Sequence, residues 1–89
     1  MRAVITVVGK DTVGILAKVS TKCSEHKANV AEVTQSVLQD LFAMIMIVDI
    51  DQLNIPFTDF SEQLSKMGED MNLKIHTMHE DIFDAMHTI

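Results

Sequence analysis

The residues best suited to chemistry lie in one loop near the start of the chain, between two apolar segments. The stretch VGKDTVGILAKV, residues 8–19, places Asp11 and Thr12 between Gly9 and Gly14. If a strand ends at Gly9 and a helix begins near Gly14, the first helical amides have no intrahelical partners and lie at the positive end of the helix dipole. Such amides bind carboxylates or phosphates, and Asp11 beside them could bind an ammonium group. The loop therefore fits both charged ends of a free amino acid.

The same loop also has a purely structural interpretation. Asp11 or Thr12 can cap the helix, because either side-chain oxygen can accept a hydrogen bond from an amide of the first turn. Gly14 can permit close packing, and spacing alone favours this simpler interpretation. The loop is not a P-loop, because apolar residues follow Gly14 in place of the Lys-Ser/Thr pair, and the glycines of the dinucleotide fingerprint are absent.

The other reactive side chains do not form a catalytic or metal-binding pattern. His76 and His79 lie three residues apart on a predicted strand, so they point to opposite faces and cannot bind one ion together. Cys23 lies on the apolar stripe of the first predicted helix, where a packed thiol is expected. No two carboxylates are placed as an acid–base pair. We therefore expect no catalytic residue, no metal and no cofactor, and a protein that is not an enzyme.

Composition limits the classes of partner. The 89 residues suffice for one domain, residues 1–89, and carry a net charge of −6. Nucleic acids and anionic membranes attract basic surfaces, so neither is an expected partner. A single cysteine suits a reducing compartment, and no apolar run approaches the roughly 20 residues that span a bilayer. The expected location is the cytoplasm.

Hydrophobic periodicity predicts the elements that must position the loop. The predicted strands span residues 2–8, 29–38, 41–50 and 72–79. A first helix runs from about Thr12 to His26 or Lys27. A second begins at Pro56 and stops at Gly68, and the tail 79–89 forms a short helical extension. With seven methionines, four phenylalanines and no Trp or Tyr, the core must be aliphatic and methionine-rich.

This order predicts an α+β fold, the ferredoxin-like βαββαβ sandwich, in which two helices cover one face of a four-stranded antiparallel sheet. The third strand, residues 41–50, is apolar on both faces, so its second face needs a cover. Self-association provides one cover, and the tail helix folding across the sheet provides another. Both explanations remain open.

The stretch VVGKDTVGILAKVSTKCSEHKANV, residues 7–30, resembles the signature of ACT domains. That signature is a strand, Asp or Asn, any residue, Pro and Gly, then Ile/Val-Leu in an amphipathic helix, with Asn-Ile/Val opening the next strand. Asp11, Gly14 and Asn29 match it, whereas Val13 replaces the usual proline and Thr12 a frequent basic residue. The ending IHTMHEDIFDAMHTI resembles stand-alone bacterial and archaeal ACT proteins related to the repressor of the glycine cleavage system.

The resemblance implies a regulatory binding module. ACT domains commonly bind an amino acid between two copies, at the loop after the first strand and the start of the second. On this chain the implied ligand-binding residues are Asp11, Thr12, Val13, Gly14 and Asn29. The implied partners are a free amino acid, a second copy in a homo-oligomer, expected to be a dimer, and a regulatory protein partner. The alternative is a ligand-independent assembly module with no small-molecule site.

Overall fold

The helices and strands of the described chain follow the predicted βαββαβ order, with one further helix at the end. The computed structural model describes residues 1–10 and 14–87. Its elements are β1 (Arg2–Gly9), α1 (Ile15–Glu25), β2 (Asn29–Leu38), β3 (Leu41–Asp49), α2 (Phe57–Asp70), β4 (Lys74–His79) and α3 (Glu80–His87). The predicted α+β, ferredoxin-like fold is confirmed.

The four strands form one sheet in the order β2-β3-β1-β4, and every neighbouring pair is antiparallel. β3 and β1 are therefore central, whereas β2 and β4 are the edges. Arg2 pairs with Asp49 at one end of the central pair, and Gly9 pairs with Phe42 at the other. This register fixes the two ends of the sheet at which the predicted site residues lie.

The core lies between one face of the sheet and the two longer helices. β1 and β3 contribute alternate residues that are almost completely buried: Ala3, Ile5, Val7, Phe42, Met44, Met46 and Val48. α1 contributes Ile15, Val19 and Cys23, and α2 contributes Phe60 and Leu64. The prediction of an aliphatic and methionine-rich core is confirmed, since Met44 and Met46 are among the largest fully buried side chains.

The second face of the sheet is buried at one end and exposed at the other. Val4 is fully buried, and α3 contacts β1 and β4, the strands that carry Val4 and its neighbour Met78. At the opposite end Val8 and Ile45 are each 39% exposed and Leu41 is 42% exposed. The tail helix therefore contacts only part of the sheet, and an apolar patch of these three side chains is left open.

α1 ends in a Schellman motif, the pair of backbone hydrogen bonds that commonly closes a helix. Lys27 N–H donates to the carbonyl of Ser24 at 3.1 Å, and Ala28 N–H donates to that of Cys23 at 2.8 Å. The motif needs a left-handed backbone conformation at the first residue after the helix cap, a position that glycine usually occupies. Here that residue is Lys27, with φ 61°.

The prediction that Gly68 stops the second helix is wrong. α2 continues through Gly68 to Asp70, and the left-handed residue beyond its end is Asn72, with φ 59°. Gly68 is buried because β4 packs closely against it: a Cβ atom there would lie 2.8 Å from Cγ1 of Ile75. Tertiary packing, rather than helix termination, requires this glycine.

The second strand does not alternate regularly along its whole length. A β-bulge between Val30 and Glu32 shifts the register by one residue. Val30 therefore pairs with Val48 and Val33 with Met46, on the same face of the sheet. Because β2 is an edge strand, only Val33 of this face packs against the core.

Candidate functional site

Gly14 lies at the start of α1 and is the first part of the predicted site that the structure describes. Its backbone is left-handed, with φ 75°, and among the described residues beyond its chain neighbours a Cβ atom there would meet no atom within 4 Å. Gly14 is therefore needed for its backbone conformation and not for close packing. The first helical bond runs from Lys18 N–H to the Gly14 carbonyl, so the amides of residues 15–17 precede the helical ladder. Asp11, Thr12 and Val13, with the predicted cap, lie outside the described residues.

Asn29 is the first residue of β2, as predicted, and its side chain is exposed. It follows the Schellman turn directly, so the end of α1 fixes its position. An asparagine amide can donate a hydrogen bond to a carboxylate and accept one from an ammonium group. Asn29 is therefore chemically suited to the role that the family resemblance implies.

One chain does not bring Gly14 and Asn29 together. They lie beyond opposite ends of α1, whose 11 residues span about 16 Å at the usual helical rise. The strand register gives the same separation. Asn29 pairs with Asp49 at one end of β3, whereas Gly9, the last residue of β1 before Gly14, pairs with Phe42 at the other end. Gly14 and Asn29 would thus belong to two separate half-sites.

A groove of about 430 Å³ lies beside Asn29. It is lined by Ser20, Ser24, Lys27, Ala28, Asn29, Val30 and Gln52. Its volume lies within the range of small-molecule sites. Sequence reasoning missed the two serines, Lys27 and Gln52. The four-residue spacing of Ser20 and Ser24 was a usable signal, since it places both on one face of α1 next to the turn that leads to Asn29.

Hydrogen bonds around His26 hold the turn between α1 and β2 in place. The ring nitrogens of His26 lie 3.0 Å from Oδ1 of Asn54 and 2.9 Å from Oε1 of Gln63. Asn54 also donates from its side chain to the Glu25 carbonyl at 3.2 Å and from its backbone to the His26 carbonyl at 3.1 Å. These contacts join the end of α1 to α2 and to the segment after β3. They hold in place the turn that forms one side of the groove.

The other reactive side chains have structural surroundings. Cys23 is fully buried, and burial raises the pKa of its thiol to about 11, so the predicted packed thiol is confirmed. His79 stacks on Phe57, with ring centroids 4.1 Å apart. Within residues 1–10 and 14–87, no three His, Cys, Asp or Glu side chains come together as a metal site. No helix in this part of the chain is long and apolar enough to cross a membrane.

Comparison with known proteins gives one family. The ACT domain model matches residues 2–82. A UPF0237 protein of Listeria monocytogenes is 45% identical over 89 residues, which are 100% of both chains. A UPF0237 protein of Methanopyrus kandleri is 42% identical over 88 residues, which are 99% of this chain and 98% of the other.

Solved structures agree with the sequence relatives. An ACT domain protein from Streptococcus pneumoniae superposes with a TM-score of 0.82 at 39% identity, covering 98% of each chain. A putative glycine cleavage system transcriptional repressor superposes with a TM-score of 0.76 over 85% of this chain and 44% of that one. At 10% identity the second match shows a shared fold.

Proposed function

The chain belongs to the ACT domain family, and we propose that it is a regulatory module that binds a free amino acid where two copies meet. The observation that carries this proposal is the separation of Gly14 and Asn29 at opposite ends of α1. ACT domains commonly use the regions of both residues in one site, and a second copy can supply the missing half. Binding would then couple ligand occupancy to assembly, because a ligand stabilises the assembly that binds it better.

Pairing of two β2 strands would join the half-sites. β2 is an edge strand of ten residues. Two copies related by a twofold axis would pair these edges antiparallel. Asn29 of one copy would then lie opposite the Leu38 end of the other β2. That end adjoins Phe42 and Gly9, from which the chain leads to Gly14.

The backbone of β2 leaves hydrogen-bonding groups free for such pairing. Leu38 and Leu41 pair across the two-residue turn, so their N–H and C=O groups point toward each other. Because this orientation alternates along an antiparallel ladder, the N–H and C=O groups of Val33, Gln35 and Val37 point away from β3. The side chain of Val37 is also 66% exposed, and pairing of the edges would shield it.

Ligand titration tests the proposal directly. The twenty free amino acids are screened at millimolar concentration by thermal shift, and hits are measured by calorimetry. At least one is expected to bind, and Asn29→Ala should abolish its binding. Ser65→Ala, on the exposed surface of α2, is the matched control and should bind like the unchanged chain. Absence of a shift with all twenty would refute amino-acid sensing.

The alternative function is ligand-independent assembly with a second copy or another protein. The exposed Val8, Leu41 and Ile45 favour it, because they offer an apolar surface that needs no small molecule. This alternative predicts a stable oligomer whose mass does not change with any amino acid and is indifferent to Asn29→Ala. In both cases the module acts by binding and not by catalysis, and we place it in the cytoplasm.

A further inference from the structure

One cationic side chain lines the groove beside Asn29, within an acidic chain. The whole chain carries a net charge of −6, yet Lys27 lines this groove and none of its described lining residues carries a carboxylate. In the described part of the chain Lys27 forms no ion pair, whereas Lys22 lies 3.6 Å from Glu25. The charge of Lys27 is therefore available to a ligand.

The remaining lining groups are suited to the same kind of ligand. Ser20 and Ser24 each offer a hydroxyl donor, and Asn29 and Gln52 each offer an amide donor. A cation with several neutral donors matches a carboxylate, which accepts through two oxygens, and charge-assisted hydrogen bonds are the stronger kind.

The backbone at Lys27 supplies a second, independent observation. Its φ of 61° is in the left-handed region, where a lysine is strained and a glycine is not. The Schellman motif accounts for this conformation, and glycine would adopt it more easily, so the turn does not account for the choice of lysine. Compared with glycine, a lysine at this position lowers local stability and places a positive charge at the groove.

We propose that Lys27 makes this groove the carboxylate-binding part of the ligand site, with Asn29 and Gln52 donating hydrogen bonds to the same acid group. The chemical class of the ligand is thus a small molecule with a free carboxylate. The identity of that molecule as an amino acid rests on the proposed function. The carboxylate preference itself belongs to the groove of a single chain.

Lys27→Gly is an unusually informative variant, because glycine removes the charge and relieves the backbone strain together. Loss of binding therefore cannot be attributed to unfolding. Lys27→Arg retains the charge and should bind within a few-fold of the unchanged chain. Lys66→Gln, on the exposed surface of α2, removes an equal charge away from the groove and is the matched control.

The first experiment uses acetate as the probe, at constant ionic strength, followed by the amide NMR shifts of residues 27–30. Acetate should shift these amides in the unchanged chain and in Lys66→Gln, with affinity at least about ten-fold weaker in Lys27→Gly. Equal affinity in Lys27→Gly, or no shift in the unchanged chain, would overturn the carboxylate assignment.

The second experiment compares each of the twenty amino acids with its primary carboxamide, which lacks the negative charge. Any amino acid that binds should do so at least about ten-fold more tightly than its carboxamide, and Lys27→Gly should remove this preference. A preference that persists in Lys27→Gly would contradict the inference. If no amino acid binds but acetate does, the proposed function fails and the carboxylate groove stands.

Discussion

Lys27 shows how a single residue can oppose stability at a candidate site. A left-handed conformation costs a residue with a Cβ atom about 1–2 kcal/mol, although a positive charge near the end of α1 recovers about 0.3–1 kcal/mol from the helix dipole. Lys27→Gly should therefore raise the free energy of unfolding by about 0.5–1 kcal/mol, measured by urea denaturation at fixed protein concentration. Lys27→Ala keeps the strain and loses the charge, so it should not stabilise. A less stable Lys27→Gly would show that the lysine supports the fold.

Cys23 should make stability depend on pH in the alkaline range. Burial raises the pKa of its thiol to about 11 in the folded chain, against about 8.5 when unfolded. Between these values the unfolded chain has lost the proton and the folded chain has kept it. The free energy of unfolding is therefore unaffected by this group below about pH 8.5 and falls as the pH rises toward 11, by about 3 kcal/mol in all.

The measurement is urea denaturation at pH 8 and pH 10.5, compared between the unchanged chain and Cys23→Ala. The variant is less stable at both pH values because it leaves a cavity, but it should lose less stability between them. All other side chains are the same in both proteins, so the comparison isolates the thiol. Parallel losses in the two proteins would mean that the thiol ionises in the folded chain as freely as in the unfolded one.

At the scale of elements, periodicity predicted every helix and strand in the described chain, because alternate burial and helical stripes are local signals. Two features were not accessible this way. The bulge after Val30 depends on how β2 pairs with β3, and nothing in the stretch NVAEV marks it. Glycine is a residue type that often ends a helix, which led to the wrong prediction at Gly68. The actual requirement for glycine there comes from close packing against Ile75, which lies on β4.

Gly68→Ala should destabilise the chain although alanine is the better helix former. Alanine gains about 1 kcal/mol in the interior of α2. Its Cβ atom would lie 2.8 Å from Cγ1 of Ile75 and 3.1 Å from the Leu73 carbonyl oxygen, and overpacking of this kind costs about 1–3 kcal/mol. We expect a net loss of up to about 2 kcal/mol by urea denaturation.

Two comparisons separate packing from helix propensity at Gly68. Ser65→Ala, exposed on the same helix, should stabilise by a few tenths of a kcal/mol. In an Ile75→Ala background the contact with Ile75 is removed and the one with the Leu73 carbonyl remains, so Gly68→Ala should cost less, a coupling that a double-mutant cycle measures. If Gly68→Ala destabilised the Ile75→Ala chain as much as the unchanged chain, the contact with Ile75 would not be the cause of the loss.

At the scale of the whole molecule, the sequence predicted one site for Gly14 and Asn29 but not their separation along α1. Gly14 and Asn29 were recognisable because each follows a change in periodicity, and the family resemblance assigned them to one site. Only the fold shows that α1 holds them apart. Gln52 was not predictable, since it reaches the groove from the segment after β3, far from Asn29 in sequence. The proposed two-copy site therefore depends on assembly.

Disruption of the β2 edge should convert a dimer into a folded monomer. The backbone N–H of Gln35 points away from β3, so Gln35→Pro removes a donor that the proposed pairing of copies would use and spares the ladder within the chain. Sedimentation equilibrium should give twice the 10.0 kDa chain mass for the unchanged protein and the chain mass for Gln35→Pro. Thr34→Pro is the matched control: its N–H points toward β3, so it should lose folded structure by circular dichroism.

A second surface variant determines which interface holds the copies together. Ile45→Glu places a charge among the exposed apolar side chains of the open sheet face and leaves the edge of β2 unchanged. If β2 pairing forms the dimer, Ile45→Glu remains a dimer while Gln35→Pro does not. The reverse result would move the interface to the open face. Gly14 and Asn29 would then stay apart in the assembly, and the two-copy site would have to be abandoned together with amino-acid sensing at it.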